Sequence, residues 1–395
     1  MKNFIKISLL LAILKSLNYW VLWQVDARIF HIALIFSIIY SNSNGNICVK
    51  SIKNIYKIAL GVLSVGVLYF NSLVLKEGAG LLSYSSMIIF LMTVILIFRL
   101  SRDFRDEIIG FLEKSFGWLL LPAIAVFFIN RFWELPFIPT PYIDSFGDMP
   151  YGIFRNYIFY IQGIGVETLL GFERFSGPFI EPGQMATFLS FLLILNRYEF
   201  SKQHWHRSVI LLAIFVSFSL AGWVIAGIAA LLFRLSSIKK SLSYILLIVV
   251  MYYGGQSYND GNNVVNKYII ERLEYDEEKG ISGNDRSGKI MNDIYDATVA
   301  SDLQYLMFGA PQYRGDKMDG GSGYKAFLIQ FGLFPLIFIL AYYLLLSQGA
   351  GNKRDMYILS LLVVLSFLQR ATPVIFYMYV ITPLLLDHKP VKDKI

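Results

Sequence analysis

Arg174-Phe175-Ser176-Gly177-Pro178-Phe179-Ile180-Glu181-Pro182-Gly183-Gln184-Met185 runs straight into the apolar segment Ala186 to Leu195. An arginine, a tight Gly-Pro corner and a glutamate thus precede a hydrophobic helix. Pro182 suits the first turn of that helix, where a missing N–H is no loss. The N–H groups of Gly183, Gln184 and Met185 are then expected to point out of the helix start, toward any anion held there. Arg174 adds a planar fork that fits phosphate oxygens. The plainer alternative is a capped helix entering a membrane beside a snorkelling arginine.

Composition around this stretch decides the class. Hydrophobic residues make up 56% of the 395 and charged residues 16%, far from the balance of a soluble domain. Apolar runs near spanning length recur from end to end, so the expectation is an all-α polytopic membrane protein embedded in a lipid bilayer. The net charge of +7 lies largely in short loops between runs and is no signal for nucleic acid. Cys48 is the single cysteine, which excludes an internal disulfide and a cysteine metal pair.

The first run, behind Lys2 and Lys6, reaches about Trp23 and reads as an uncleaved span holding Lys15 and Asn18 one turn apart. Lys15 is either a functional intramembrane lysine or a snorkelling one. Further runs cover Ile29–Tyr40, Ile58–Leu75, Leu81–Phe98 and Phe116–Phe132. Lysine and arginine gather at 50–57, 99–114, 197–207, 234–240, 353–354 and the tail from Lys389. These loops are expected on the cytoplasmic side, with both termini inside. Ser208–Phe233 has basic flanks at both ends, so parity demands a tight hairpin turning near Ala221-Gly222, or a re-entrant pair. With Leu242–Tyr253, Tyr324–Leu346, Met356–Leu368 and Val374–Leu386 the total is about twelve spans.

The expected division is therefore 1–133 for helices 1–5 and 134–182 for a first long periplasmic segment. Residues 183–253 hold helices 6–9, 254–323 form a large periplasmic loop, and 324–395 contain helices 10–12 with a tail. Within the first outer segment, Phe154–Leu170 is apolar but interrupted by Arg155, Asn156, Gln162 and Glu167, which reads as an interfacial helix. The large loop carries Arg272, Arg286 and Arg314 among many acids. That is either an anion-binding surface or a mixed-charge solvated loop. Phosphate-loop, HExxH and GxSxG signatures are absent. The histidines are His31, His204, His206 and His388, none in an expected outer loop.

The opening stretch resembles the signature of the O-antigen polymerase (Wzy-type) and ligase superfamily: an Arg, a Gly, an aromatic, then Glu-Pro before a span. Ser282-Gly283-Asn284-Asp285-Arg286 resembles the family's Ser-Gly-Arg element. The amphipathic run Lys289–Met307 with Phe308-Gly309 resembles the helix ending in a Phe-Gly turn. Tyr324–Phe338, with Gly-Leu-Phe at 332–334, is similar to the span that closes the loop. Gly309-Ala310-Pro311 departs from the family's Gly-x-Gly. The comparable positions to the ligases' histidine are Ser322 and Tyr324, which favours the polymerase branch.

The resemblance implies a metal-independent, cofactor-free polymerase of polysaccharide (O-antigen or capsule). It would join polyprenyl-diphosphate-linked oligosaccharide repeat units at the periplasmic face of the bacterial inner membrane. Charge growing on the leaving diphosphate calls for fixed cations, which points to Arg174 and Arg286 as catalytic groups. Glu181 is the expected base for the acceptor hydroxyl, its alternative role being a structural cap. Arg314, Gly183, Gln184 and Tyr324 are the expected substrate-binding residues. Implied partners are a chain-length regulator and a flippase. The alternatives are a ligase moving the glycan to lipid A core, and a lipid-linked oligosaccharide transporter.

Overall fold

The computed structural model describes residues 1–43, 81–142, 152–163, 174–200, 202–234, 252–263, 265–271, 289–310, 323–348, 353–369 and 376–385, with short pieces at 246, 249–250, 275–276 and 280–281. The chain is mostly helical. In order, the helices are α1 (Lys2–Ser16), α2 (Ala27–Ser43), α3 (Leu81–Arg99), α4 (Arg102–Phe132), α5 (Pro182–Ile194), α6 (Trp205–Val216) and α7 (Leu220–Arg234). The C-terminal part adds α8 (Lys289–Ala297), α9 (Leu303–Phe308), α10 (Gly323–Phe331), α11 (Leu333–Gln348), α12 (Lys353–Gln369) and α13 (Phe376–Leu385). The chain divides into two compact units: Met1–Leu9, Arg28–Ile108 and Asn284–Ile395 form one, Leu10–Ala27 and Ile109–Gly283 the other.

The second unit is built around α5. Every residue from Met185 to Leu195 is buried, so this helix is apolar on all sides because all sides are covered. Phe188 meets Phe116 of α4 at 4.8 Å between ring centroids. On another side, a Cβ at Gly222 of α7 would come 2.5 Å from the Cβ of Ala186. Only paired small residues allow helix axes that close. Ser190 Oγ donates to Gly222 O at 3.1 Å, and Tyr198 OH to Ser190 O at 2.8 Å. At 1.5 Å per residue α5 is about 20 Å long, shorter than the apolar core of a bilayer.

The expected interfacial helix at 154–170 is not formed. Ile138–Tyr142 (β1), Gly152–Asn156 (β2) and Ile161–Gly163 (β3) make a three-stranded antiparallel sheet in the order β1-β2-β3, and 164–170 lie outside the described residues. The chain is accordingly not all-α. The physical reason is a period of two: Phe154 and Asn156 are buried, while Ile153 before them is exposed and Arg155 between them is half-buried. Pro139 and Pro141 sit on β1, an edge strand, where a missing N–H is tolerated. Phe154, Ile161 and Trp23 form a buried cluster against which Trp20, Tyr142 and Ile180 pack.

Several expected spans are cut short. α1 ends at Ser16 and not near Trp23, because Asn18 turns the chain with φ of 56°. Lys15 is tied to the turn that follows α1, its Nζ donating to Leu22 O at 3.0 Å and Trp23 O at 2.8 Å. The stretch 99–114, expected as a loop, is helical from Arg102 and continues α4. Arg105 faces inward, 4% exposed, and its Nη1 donates to Pro383 O of α13 at 2.7 Å. Ser208–Phe233 does divide into two helices, but the break falls at Ser217-Phe218-Ser219 and not at Ala221-Gly222. Phe218 takes φ of 45° there, and Gly222 is spent on the approach to Ala186.

Tyr324–Leu346 is not one straight span: α10 and α11 meet at 117° across Gly332, whose φ is 76°. Of the described residues, only Arg102–Phe132 is one helix long and apolar enough to cross a membrane, with this bent pair a second if taken as one span. Ala27–Ser43, Pro182–Ile194, Trp205–Val216, Leu220–Phe233 and Phe376–Leu385 are shorter apolar helices. The run Ile58–Leu75 and most of Leu242–Tyr253 lie outside the described residues.

In the first unit, α3 packs on α13 through an aromatic group. His31 is 4.5 Å from Phe376, and Phe90 is 5.6 Å from both Phe376 and Tyr379. α11 and α12 are tied by Ser360 Oγ donating to Tyr343 O at 3.1 Å.

Candidate functional site

The stretch 174–180 is stapled on both sides. Ile161 N donates to Gly177 O at 3.0 Å and Trp20 N to Pro178 O at 3.1 Å; Ser176 Oγ donates to Ile161 O at 2.8 Å. Gly177 holds φ of 58°, with Met185 Sδ and Leu120 Cδ2 crowding where a Cβ would stand. Phe175 and Phe179 are fully buried on either side of the corner. This rigid elbow fixes the positions of Arg174 and Glu181.

Arg174 is half-buried, and its Nε donates to Ser217 O at 3.2 Å. Phe175 N donates alongside to Val216 O at 3.2 Å. These carbonyls end α6, so the guanidinium sits at the negative pole of a helix, an interaction worth about 0.3–2 kcal/mol. Arg174 is thus held, and its Nε has a structural task.

Glu181 is the N-cap residue of α5, extended at φ −118°, with Pro182 following at the first helical position as expected. Its side chain makes no capping hydrogen bond, so the structural-cap alternative is corrected: the backbone conformation alone opens the helix. Of the three N–H groups expected to point outward, that of Met185 is corrected. Met185 N donates to Glu181 O at 3.2 Å, the first intrahelical bond. Gly183 is buried, and Gln184 uses its side chain elsewhere, Nε2 donating to Ser16 O at 3.1 Å at the end of α1.

Along α7, directly after the turn that takes Arg174, runs an apolar groove of about 290 Å³. Leu220, Trp223, Val224, Ile228 and Leu231 line one side, Val265 and Ile269 the other. Gly227 has nothing within 4 Å of where a Cβ would stand, which keeps the groove open. Trp223 is locked by Nε1 donating to Ile214 O and Phe215 O at 3.1 and 3.0 Å and by stacking on Phe215. Leu220, the first lining residue, follows Ser217 by three positions, so the helix that lines the groove starts from the turn that accepts from Arg174.

Tyr324 belongs to the other unit, half-buried at the start of α10, where Lys325 Nζ donates to Asn292 Oδ1 at 2.7 Å. Arg286 and Arg314 lie outside the described residues. The expected amphipathic run 289–307 breaks into α8 and α9, because Asp302 caps α9 by accepting from Gln304 N at 2.7 Å. Two motifs that are far apart in sequence do meet. Ala310 N donates to Ile329 O at 2.6 Å, Phe308 and Phe334 lie 6.0 Å apart, and Gly309 rests on the backbone at Gln330–Gly332.

A buried ionic group went unread in the sequence. Glu113, 1% exposed, accepts from Asn196 Nδ2 at 2.5 Å and Arg207 Nε at 3.0 Å, with His206 Nε2 at 3.5 Å. Gly117 lets His206 approach, since a Cβ there would fall 2.4 Å from the histidine's. Its signal was the spacing Ile109, Glu113, Phe116, Leu120, one face of α4.

The fold and these groupings define a mostly helical, strongly apolar protein with an arginine-bearing elbow and an apolar groove. Compared with protein-family models, curated proteins and solved structures, the chain has no match.

Proposed function

We propose that this chain is a polytopic inner-membrane polymerase, with about twelve spans and both termini cytoplasmic. It would join polyprenyl-diphosphate-linked oligosaccharide repeat units at the periplasmic face. The observation that carries the reading is the connection just described: a helix-anchored guanidinium on the turn that leads into the helix lining an apolar groove. An amphiphile with a phosphate head and a hydrocarbon tail fits that pairing. The composition and the ordered resemblance of three stretches support the same class.

In this reading the acceptor hydroxyl oxygen attacks the anomeric carbon of the donor sugar. The sugar–phosphate bond breaks and its electron pair leaves with the polyprenyl diphosphate. Arg174, with Arg286, balances the growing charge, and Glu181 takes the hydroxyl proton. Gly183, Gln184, Tyr324 and Arg314 stay proposed for binding, and a flippase and a chain-length regulator are the proposed partners. The anchoring of Arg174 Nε supports a fixed donor, since preorganised groups cost no reorganisation during reaction.

The test is polymer length on cells carrying Arg174→Lys, Arg174→Ala or the control Lys279→Ala, with membrane protein level measured in parallel. Arg174→Lys keeps charge but loses the fork, so polymer formation should fall by about 10²–10³ at near-normal protein level. Normal polymer from Arg174→Ala sinks the assignment. In a strain lacking the chain, loss of single attached units with accumulated lipid-linked polymer would establish the ligase reading instead.

A further inference from the structure

We infer that a second cleft, lined by Phe127, Asn130, Arg131, Glu134, Arg155 and Tyr157, binds an acidic sugar residue. The inference rests on the polymerase reading only for why a glycan would arrive there. The cleft encloses about 170 Å³, the room of about six waters and the size of one pyranose ring.

Local structure assembles it from three directions. Phe127, Asn130 and Arg131 are spaced i, i+3, i+4 near the end of α4 and so share a face. Asn130 Oδ1 accepts from Leu135 N at 3.0 Å, which folds the chain back and returns Glu134 to the same cleft. Tyr157 follows β2, its N donating to Tyr160 O at 2.8 Å, and its ring stacks on Tyr160 at 5.7 Å and 10°. Arg155 stands on β2, across from Pro139 and Gln162.

The lining is the chemistry that holds a charged sugar. Aromatic rings offer flat apolar surface to the C–H face of a pyranose, while guanidinium groups meet its carboxylate oxygens. Arg155 is poised for this: its Cζ lies 5.3 Å from the Phe137 ring centroid, which sets the plane of the fork. Its Nε is buried with no hydrogen-bond partner among the described residues. A buried donor left unmade is costly, and a ligand oxygen would remove that cost. Among the described lining residues two guanidinium groups stand with one carboxylate, a positive balance that selects an acidic sugar over a neutral one. Tyr160 also stacks on Phe175 at 5.9 Å and 14°, which puts the cleft wall one ring away from the neighbour of Arg174.

The experiment titrates the full chain in detergent micelles with glucuronate and glucose, read by saturation-transfer NMR, and with inorganic phosphate, which has no carbon-bound proton and is read by its displacement of glucuronate. Glucuronate should bind, with glucose and phosphate each at least about tenfold weaker, the worth of one charge-assisted contact. Arg155→Gln should weaken glucuronate about tenfold or more. Exposed Glu134 can be changed without threatening the fold, and Glu134→Gln should tighten glucuronate by removing like-charge repulsion. Equal binding of glucuronate and phosphate would leave an anion site and overturn the sugar. Unchanged binding in Arg155→Gln, or weaker binding in Glu134→Gln, overturns the cleft itself. Glucuronate binding that survives alongside normal polymer from Arg174→Ala would sink the polymerase reading and keep the cleft.

Discussion

Glu113 and Glu107 lie on the same helix, yet their removal should have very different costs. Glu113 is 1% exposed and is approached by Arg207 at 3.0 Å, Asn196 at 2.5 Å and His206 at 3.5 Å. Glu113→Ala strands the Arg207 guanidinium in the interior, where, among the described residues, Glu199 O at 2.8 Å from Nη1 remains to it. Breaking a buried pair on one side typically costs about 3–5 kcal/mol, because the surviving charge is uncompensated. Glu107, with its side chain 42% exposed, meets Lys6 at 2.8 Å and Lys2 at 3.3 Å. Water screens those pairs, and Glu107→Ala should cost less than about 1 kcal/mol. Denaturant unfolding in detergent micelles would give both values from midpoint and slope. The double variant Glu113→Leu, Arg207→Met should recover much of the loss, since an apolar replacement of both charges is close to neutral. Equal losses for Glu113→Ala and Glu107→Ala would refute the claim that burial sets the cost.

Other consequences are open to direct measurement. Gly332→Ala would place a Cβ 2.4 Å from Met307 O at φ of 76°, so unfolding should cost at least about 2 kcal/mol less than in the wild type. Gly110→Ala, with nothing within 4 Å, should instead be neutral or stabilising by up to about 1 kcal/mol, and the reverse order would discredit the packing argument. Lys6, aided by Lys2, holds the Glu107 carboxyl below its ordinary range. A depressed carboxyl adds stability above its unfolded pKa and loses it as pH falls through the folded one. The small advantage of wild type over Glu107→Gln should thus fade below about pH 4.5; an advantage that grows with acid contradicts the pairing. Cysteine-labelling tags at Lys53, Lys202 and Lys353 should be shielded from outside and one at Lys279 reachable. A reachable Lys202 would reverse the proposed orientation.

The elbow was legible because its residues act locally. Proline at the first helical position and glycine at a left-handed corner mean the same thing in any protein. Span lengths were less legible. Hydropathy averages over a window, whereas Asn18, Phe218 and Gly332 each end a helix through one positive φ. Phe154–Leu170 was misread since an apolar run with polar interruptions fits an interfacial helix until the period of two is counted. Arg105 falls in a stretch expected as a loop and Glu113 carries no expectation of its own, although their spacing with Ile109, Phe116 and Leu120 puts both on the buried face of α4. What Arg174 touches could not be read at all, because Ser217 lies 43 positions away.

The contact between Gly309 and Gly332 has a consequence for how this chain can vary. Both are left-handed, and each lies where the other's backbone leaves no room for a side chain. With Ala310 N bonded to Ile329 O, they act as a buckle across the chain between them. A tied loop is nearly indifferent to its own length, each doubling costing about 0.6 kcal/mol. Changes in the number of residues between 310 and 323 should therefore leave the pairing of Gly309 with Gly332 in place.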